Sequence, residues 1–401
     1  MNQKNKNCKL LNYKNFYSPE AKKIWLILLS IPFLTITGKA FPGSAPKIQT
    51  SYWGSPRAAA LGGALSANSD DVDAPWHNPA AIGGTYKKSN KNFVHSVGFP
   101  LAVVEQNSRY IDFSRTDGTF NSPLAEAIQR TSTNQTIYNR ISLVPHLSAG
   151  FSSEKGRFFL GYLTDRQMAV TPSAAVANSA DAIDQTQHGP IAGFSISDSS
   201  HRFYFGFSAA SLSRERLSGT FLLSEIADAT TRTTKFKAAT KTYSGINHSA
   251  GLLWKINAAS RTKLALTGQN IGGSTFTTSE TTPQTSIDVE TINLALSSSV
   301  KYGFGFLNYG IEAKDLSHKT KTIQEKLVFN SELTFGSTEG SQATFSIRTG
   351  YNHLGGTAGL GMKIGALNTQ ISQYKEDIGN TNEKVLETRT VGLVIFNLSG
   401  E

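Results

Sequence analysis

The sequence predicts an all-β chain closed into an antiparallel transmembrane barrel. Three observations carry that expectation. From about Asn92 onward the chain repeats one pattern, eight to twelve alternating residues and then a turn. Short turns alternate with longer polar links. Several alternating runs are long enough to cross a bilayer as tilted strands.

The alternation is clearest in three runs. In 202–208, Phe203, Phe205 and Phe207 share one side, with Arg202, Tyr204, Gly206 and Ser208 on the other. In 291–302, Ile292, Leu294, Leu296, Val300 and Tyr302 oppose Thr291, Asn293, Ala295, Ser297, Ser299 and Lys301. In 342–351, Ala343, Phe345, Ile347 and Tyr351 oppose Gln342, Thr344, Ser346, Arg348 and Gly350. Period two means strands with one apolar and one polar face. Turn chemistry separates such runs at 153–156, 197–200, 257–261 and 337–340, and long polar links are expected at 171–188, 217–242, 272–289 and 376–387. Two links carry helical patterns: Ser122-Pro123 opens LAEAIQR, and FLLSEIADA at 221–229 is amphipathic. A secreted or periplasmic β-sandwich is the alternative, but its strands average about five or six residues against about nine to eleven for a membrane strand. Tyr302, Phe304, Phe306 and Tyr309 gather around one chain reversal, where an interfacial aromatic girdle would lie.

Ahead of the strands, residues 1–40 read as a signal peptide. Lys22 and Lys23 precede the apolar run Ile24 to Thr37, and Gly38-Lys39-Ala40 offers the small residues of a cleavage site. Cleavage after Ala40 removes seven basic residues and one acid, leaving 32 against 28, or +4 instead of +10. That undercuts a nucleic-acid partner based on charge, and none is expected. The single cysteine, Cys8, leaves with the leader, so no disulfide supports the exported chain.

Residues 54–84, GSPRAAALGGALSANSDDVDAPWHNPAAIGG, hold two small-residue clusters, an acidic knot at Asp70, Asp71 and Asp73, and the dipeptide Asn78-Pro79. This stretch resembles the N-terminal signature of the FadL-like superfamily of outer-membrane proteins. The matching elements are Leu61-Gly62-Gly63-Ala64 and Asn78-Pro79-Ala80. The resemblance implies a short plug within the barrel, with Gly62, Gly63, Asp70, Asp71, Asn78 and Pro79 as its motif. Glycine permits close backbone packing, and Asn before Pro favours a turn closed by its own side chain. The acids are expected to pair with lumen-facing bases such as Arg202 or Arg348. An ordinary surface loop is the plainer alternative for the stretch.

The resemblance extends through 189–197, 266–273, 312–316, 346–365 and 374–379, segments similar to later strands of related barrels, including the PorV-like branch. Together with the count of alternating runs it implies about fourteen strands, and a division into signal peptide 1–40, plug segment 41–91 and barrel 92–401. One departure stands out: such barrels usually finish on a terminal aromatic, whereas Phe396 lies five residues before the end.

No enzymatic chemistry is expected. The eight histidines lack metal-ligand spacing, His248 and Ser249 are adjacent on a strand and so face opposite sides, and no G-x-S-x-G elbow is present. The glycines of 359–365 open no helix, and the three acids of the knot lack a calcium-loop spacing, so no cofactor and no metal are expected.

Two functions stay open. The resemblance implies a transport channel for small hydrophobic compounds, with a ligand-sized apolar pocket between plug and wall. The PorV-like branch implies a scaffold or shuttle for other exported proteins, with a filled lumen and a docking surface on the loops. For that role the basic residues Arg214, Arg216, Arg232, Lys235, Lys237 and Lys241 are candidates. Either reading places the chain in a Gram-negative outer membrane, with membrane lipid and the barrel assembly machinery as partners. N-terminal sequencing of the mature protein should begin at Phe41; a sequence that still contains Lys22 would overturn the cleavage reading.

Overall fold

A computed structural model describes residue 48 and residues 55–69, 73–83, 94–107, 123–131, 136–151, 156–173, 175–257, 261–278, 285–302, 305–336, 343–377 and 386–398. The signal-peptide region, Asp70, Asp71 and Phe304 lie outside the described residues.

Helices α1 (Pro56–Ala60) and α2 (Ala74–His77) and a 3-10 turn (Pro79–Gly83) come first, then β1 (Val94–Gln106) and α3 (Pro123–Thr131). Next are β2 (Ile137–Leu143), β3 (His146–Phe151), β4 (Gly156–Pro172), β5 (Ser179–Ser197) and β6 (Phe203–Leu222). Helices α4 (Leu223–Ala227) and α5 (Ala229–Ala239) lead to β7 (Thr240–Asn257), β8 (Thr262–Gln269), β9 (Ser274–Thr278) and β10 (Thr285–Asp288). The chain closes with β11 (Thr291–Tyr302), β12 (Gly305–Ala313), α6 (Ile323–Lys326), β13 (Leu327–Gly336), β14 (Thr344–Asn352), β15 (Gly355–Ile364), β16 (Leu367–Asp377) and β17 (Leu386–Leu398).

All pairings are antiparallel, and β1 bonds β17 on one edge and β2 and β3 on the other, which closes the barrel. Three staves are interrupted. β2 and β3 both pair with β4, β8 and β9 both pair with β7, and β10 and β11 face β9 and β8. Seventeen segments therefore make fourteen staves, the number the sequence implies. The first interruption falls at Val144-Pro145. Opposite it, β1 has a bulge between Pro100 and Ala102. Proline has no N–H to give a ladder, so breaks at these two positions follow from the sequence.

Wall height is uneven. Strands β4 to β7 run 17 to 20 residues, whereas β12 to β15 run 9 or 10. At about 3.3 Å per residue the short strands match a bilayer core and the long ones overshoot it. Side chains on the long wall change accordingly. Phe194, Ile196, Phe203, Phe205, Leu252 and Trp254 are exposed on the outer face. Further along the same outward positions come Arg166 and Asp184, joined at 2.6 Å, and Glu215. Above them the outward residues turn apolar again, and helix covers them. Leu124, Ala127 and Ile128 of α3 join Met168, Val170, Ala180 and Ala182 in one buried cluster. Phe236 of α5 meets Phe221 edge-on at 5.1 Å. The expected polar links at 171–188 and 272–289 are thus largely strand, because the tall wall continues past the bilayer. Both helical patterns fold as helices.

The alternation foreseen in 202–208, 291–302 and 342–351 holds. Tyr204, Asn293, Ala295, Ser297, Ser346 and Arg348 are buried inward, while Phe203, Leu294, Leu296, Phe345 and Tyr351 are exposed outward. Phe396 also faces outward and pairs with Phe99 across the closing seam. Phe306 and Tyr309 lie on opposite faces of β12, because their spacing is odd. Phe306 instead receives the Arg261 guanidinium over its ring at 4.2 Å.

The turn between β5 and β6 is organised by Asp198, whose Oδ1 accepts the N–H groups of Arg202 (2.8 Å) and Phe203 (3.0 Å), while Ser200 donates its hydroxyl to Oδ2. The Ser200 hydroxyl first, then these N–H groups, hold the Asp198 carboxyl at about 2. A depressed carboxylate stabilises the fold above its unfolded value of about 3.9, and the contribution is lost as pH falls through the folded value. The Asp198 carboxyl carbon signal should therefore titrate near pH 2 in NMR spectra of the folded barrel. Titration near pH 4 would show that these bonds are not formed.

Candidate functional site

Residues 55–69 and 73–83 lie inside the barrel and bond to opposite walls. Ser55 caps α1: its Oγ accepts the Ala58 N–H at 3.2 Å and donates to Asp73 Oδ2 at 2.6 Å. The helix ends at Gly62 and Gly63, with φ of +71° and +87°, a left-handed pair that glycine adopts without strain. A Cβ on Gly62 would stand 2.8 Å from Val328 of the wall. Asn78 closes its turn as its position before proline predicts. Its Oδ1 accepts the Ala80 N–H at 3.0 Å and its Nδ2 donates to the Ser66 carbonyl at 2.8 Å. The Gly-Gly and Asn-Pro halves are thereby tied together.

On the tall side, Ser195 Oγ donates to the Ala80 carbonyl at 2.8 Å, Ser208 Oγ to the Pro75 carbonyl at 3.3 Å, and Gln269 Nε2 to the Trp76 carbonyl at 2.8 Å. Two inward glycines make room. A Cβ on Gly206 would stand 2.2 Å from the Ala80 nitrogen, and one on Gly251 would stand 2.0 Å from Asn78 Oδ1.

The short side supplies charge. Arg57 lays its guanidinium on Glu332, with Nη2 to Oε2 at 2.7 Å and Nε to Oε1 at 3.2 Å. Arg348 Nε reaches the same carboxylate at 2.7 Å. Glu312 accepts both the Ser66 N–H (3.0 Å) and hydroxyl (2.8 Å). Thr357 Oγ1 donates to the Ala60 carbonyl at 2.7 Å, and Asn352 Nδ2 to the Gly62 carbonyl at 3.3 Å.

The expected pairing of Asp70 and Asp71 with wall bases lies outside the described residues. Asp73 bonds Ser55 within the segment, Arg202 sits in the β5–β6 turn, and Arg348 pairs with Glu332 of its own wall. Where a described ion pair joins segment to wall, at Arg57 and Glu332, the segment brings the base and the wall the acid. Arg57 is the one arginine or lysine in residues 54–84, and that isolation in a small-residue run was the signal for its role. Glu312 and Glu332 gave no such signal, because their partners are distant in sequence.

A second buried network crosses the closing seam. Asp165 accepts Arg140 Nε at 2.7 Å and the side-chain amides of Gln167 (3.0 Å) and Gln187 (3.1 Å). Glu105 lies between Arg140 (3.7 Å) and Arg389 (3.9 Å) and accepts the Tyr374 hydroxyl. Arg389 also covers the Tyr138 ring at 3.5 Å. Higher up, Arg214 grips Asp288 with both terminal nitrogens, at 3.1 and 2.8 Å. The expected basic loop surface is correspondingly reduced: Arg214 faces the lumen, Arg232 donates to the Ile226 carbonyl, and Lys235 pairs with Glu225.

Above the inner segment is a cavity of about 560 Å³, within the size range of ligand sites. Ala59, Gly63 and Trp76 belong to the segment side, Asn247, Gln269 and Asn293 to the wall, and Tyr374 and Val391 to the seam. Lys314, Asp315, His318, Lys321, His353 and Lys375 also line it, as do the carboxylates Glu105, Glu312 and Glu376. The cavity is ligand-sized and bounded by segment and barrel as a channel requires, and its lining is mixed, with apolar surface from Ala59, Trp76, Ile191 and Val391 beside charged groups. The charged share comes from the alternation itself, which sends polar side chains inward. Ser249 lines this cavity while His248 faces outward and stacks on Phe207 at 5.8 Å, on opposite sides as foreseen.

Three solved structures share this architecture. The ΔS2S3 mutant of the TodX monoaromatic hydrocarbon channel superposes with a TM-score of 0.55 at 11% identity, covering 86% of this chain and 99% of that one. The toluene transporter TbuX of Ralstonia pickettii gives 0.53 at 11% identity, covering 88% and 100%, and the Pseudomonas putida toluene transporter TodX gives 0.52 at 11%, covering 88% and 99%. The chain has their fold. At this identity the likeness is one of architecture, the fold that the FadL-like resemblance implies. No protein-family model and no curated protein sequence matches the chain.

Replacing Glu332 with alanine leaves Arg57 without its carboxylate and Arg348 with only Gln370, a loss of about 3–5 kcal/mol for a broken buried pair. The denaturant midpoint of the purified barrel should fall, and Arg57 should become accessible to trypsin under native conditions. Unchanged stability and protection would show that these contacts do not hold the segment.

Proposed function

We propose that the protein is an outer-membrane channel for small, largely apolar compounds, in which residues 54–84 act as a plug. The observation that carries this reading is the position of the inner segment, bonded to both walls directly beneath a ligand-sized cavity. The exposed apolar band on the strands suits a lipid surround, and insertion in an outer membrane follows from a closed β-barrel with such a band. TodX and TbuX, named as hydrocarbon and toluene carriers, use the same architecture, which supports the substrate class for this chain. Residues 1–40 serve as the cleaved export signal. A ligand entering from the loop end meets the cavity first and the plug second, so passage requires the plug to shift or the wall to part. The scaffold reading calls for a filled lumen, and the cavity favours the channel.

Deleting residues 54–84 should leave a barrel that inserts and migrates heat-modifiably on gels but conducts more current in planar bilayers. An inserted deletion variant with unchanged conductance would remove the plug from this account.

A further inference from the structure

Six connections of the barrel, β3–β4, β5–β6, β7–β8, β11–β12, β13–β14 and β15–β16, lie at one end, and in an outer membrane that short-turn end faces the periplasm. Its charge is one-sided. Histidines aside, the described charged residues within three positions of these connections are seven arginines and lysines and one carboxylate, Asp198. Arg202, Arg261, Lys301 and Lys363 are exposed there. Arg261 lies over Phe306, and none of the four has an ion pair with a described residue. Arg157, Lys255 and Lys263 complete the set. Asp198 is tied into the β5–β6 turn by the Arg202 and Phe203 N–H groups and the Ser200 hydroxyl. In sequence the same connections add Lys155, Glu154 and Glu339, and Glu401 follows β17, so bases still lead by eight to four.

Strand alternation sets the direction of these groups. Arg202 keeps the register of buried Tyr204, Lys263 that of Ala265 and Lys301 that of Ser297. Lys363 shares its face with Thr357, which bonds the inner segment. The outward positions at the same end are apolar: Ile196, Phe203, Trp254, Ile256, Val300 and Ile364 are exposed. The bases therefore line the mouth, and the lipid side carries none of the seven. They also surround it. β6 and β15 are seven staves apart out of fourteen, so Arg202 and Lys363 face each other across the barrel. Strand spacing and tilt make such a barrel about 28 Å wide. A small anion reaches one or two of these groups and no more.

We infer that the periplasmic mouth is a docking surface for an acidic protein, a carrier whose carboxylate-rich face seats on this ring and takes the compound released there. The inward direction of the bases sets them apart from bilayer phosphates, and the width of the ring exceeds a small anion. A largely apolar compound leaving at this end meets water unless a protein covers it. Charge spread around a rim steers such an encounter and fixes its orientation. The inference rests on the outer-membrane channel reading, which places this end in the periplasm.

The test uses the purified protein in neutral detergent, with a fluorescent poly-L-glutamate chain long enough to span the mouth as probe, read by anisotropy. Wild type should bind it, and raising sodium chloride from about 50 to about 500 mM should weaken binding about tenfold, because exposed charges are screened. Free glutamate at the same carboxylate concentration should not displace the chain. Arg202→Gln, Lys301→Gln and Lys363→Gln combined should weaken binding about tenfold. Lys235→Gln with Lys237→Gln, on α5 at the opposite end, should leave it unchanged. Salt-independent binding, or displacement by free glutamate, would overturn the docking surface without any variant. So would equal losses in the two sets of variants, each still migrating heat-modifiably. Native mass spectrometry from mixed phosphatidylglycerol and phosphatidylcholine micelles reads the lipid: loss of retained phosphatidylglycerol in the triple variant would assign the ring to bilayer lipid and end the inference. The plug deletion reads the channel separately. Raised conductance without polyglutamate binding keeps the channel and discards the docking surface, and binding with unchanged conductance does the reverse.

Discussion

Everything inside this barrel follows from the need to neutralise charge in a closed lumen. A strand whose outer face meets lipid must send its polar residues inward, and fourteen such staves concentrate carboxylates, guanidinium groups and amides in one enclosed space. An unpaired ion there costs several kcal/mol. Asp165, Glu332 and Asp288 are each held by arginine, and Glu105 lies between two. The ladder hydrogen bonds close the cylinder, and the inward charges decide what can occupy it.

The inner segment is selected by that environment. Sixteen of residues 54–84 are alanine, glycine or serine, so it can approach the wall closely, and its carbonyls are taken by inward Ser195, Ser208, Gln269 and Thr357. Its single arginine completes a wall carboxylate. Its serine at position 66 satisfies another that lacks an arginine. A longer or more charged segment would leave either voids or unpaired ions, and inward side chains at Gly206 and Gly251 would collide with its backbone.

The difference in wall height adds a second consequence. Because the long wall overshoots a bilayer core, its upper outer face is covered by helices instead of lipid, and connections read as loops extend the sheet. The short wall places Lys314, His318 and His353 at the height of the cavity. Charge at its entrance is thus set by where the short strands stop.

Alternation and run length determined much of this fold from the sequence alone: the strand faces, both helical connections, the stave number with help from resemblance, and the Asn78 turn. These are local properties, fixed by a period of two or by one side chain reaching its own backbone. Gly62 and Gly63 were legible as a place of close approach, but not what they approach. Only the tertiary structure decided that Arg57 meets Glu332, that Ser66 meets Glu312, and that Asp73 meets Ser55. Those partners are separated by 275, 246 and 18 residues, and strand alternation marks a face without naming what lies across the lumen. Closure of the barrel assigned one face to lipid and the other to the site, and that assignment depends on the whole cylinder.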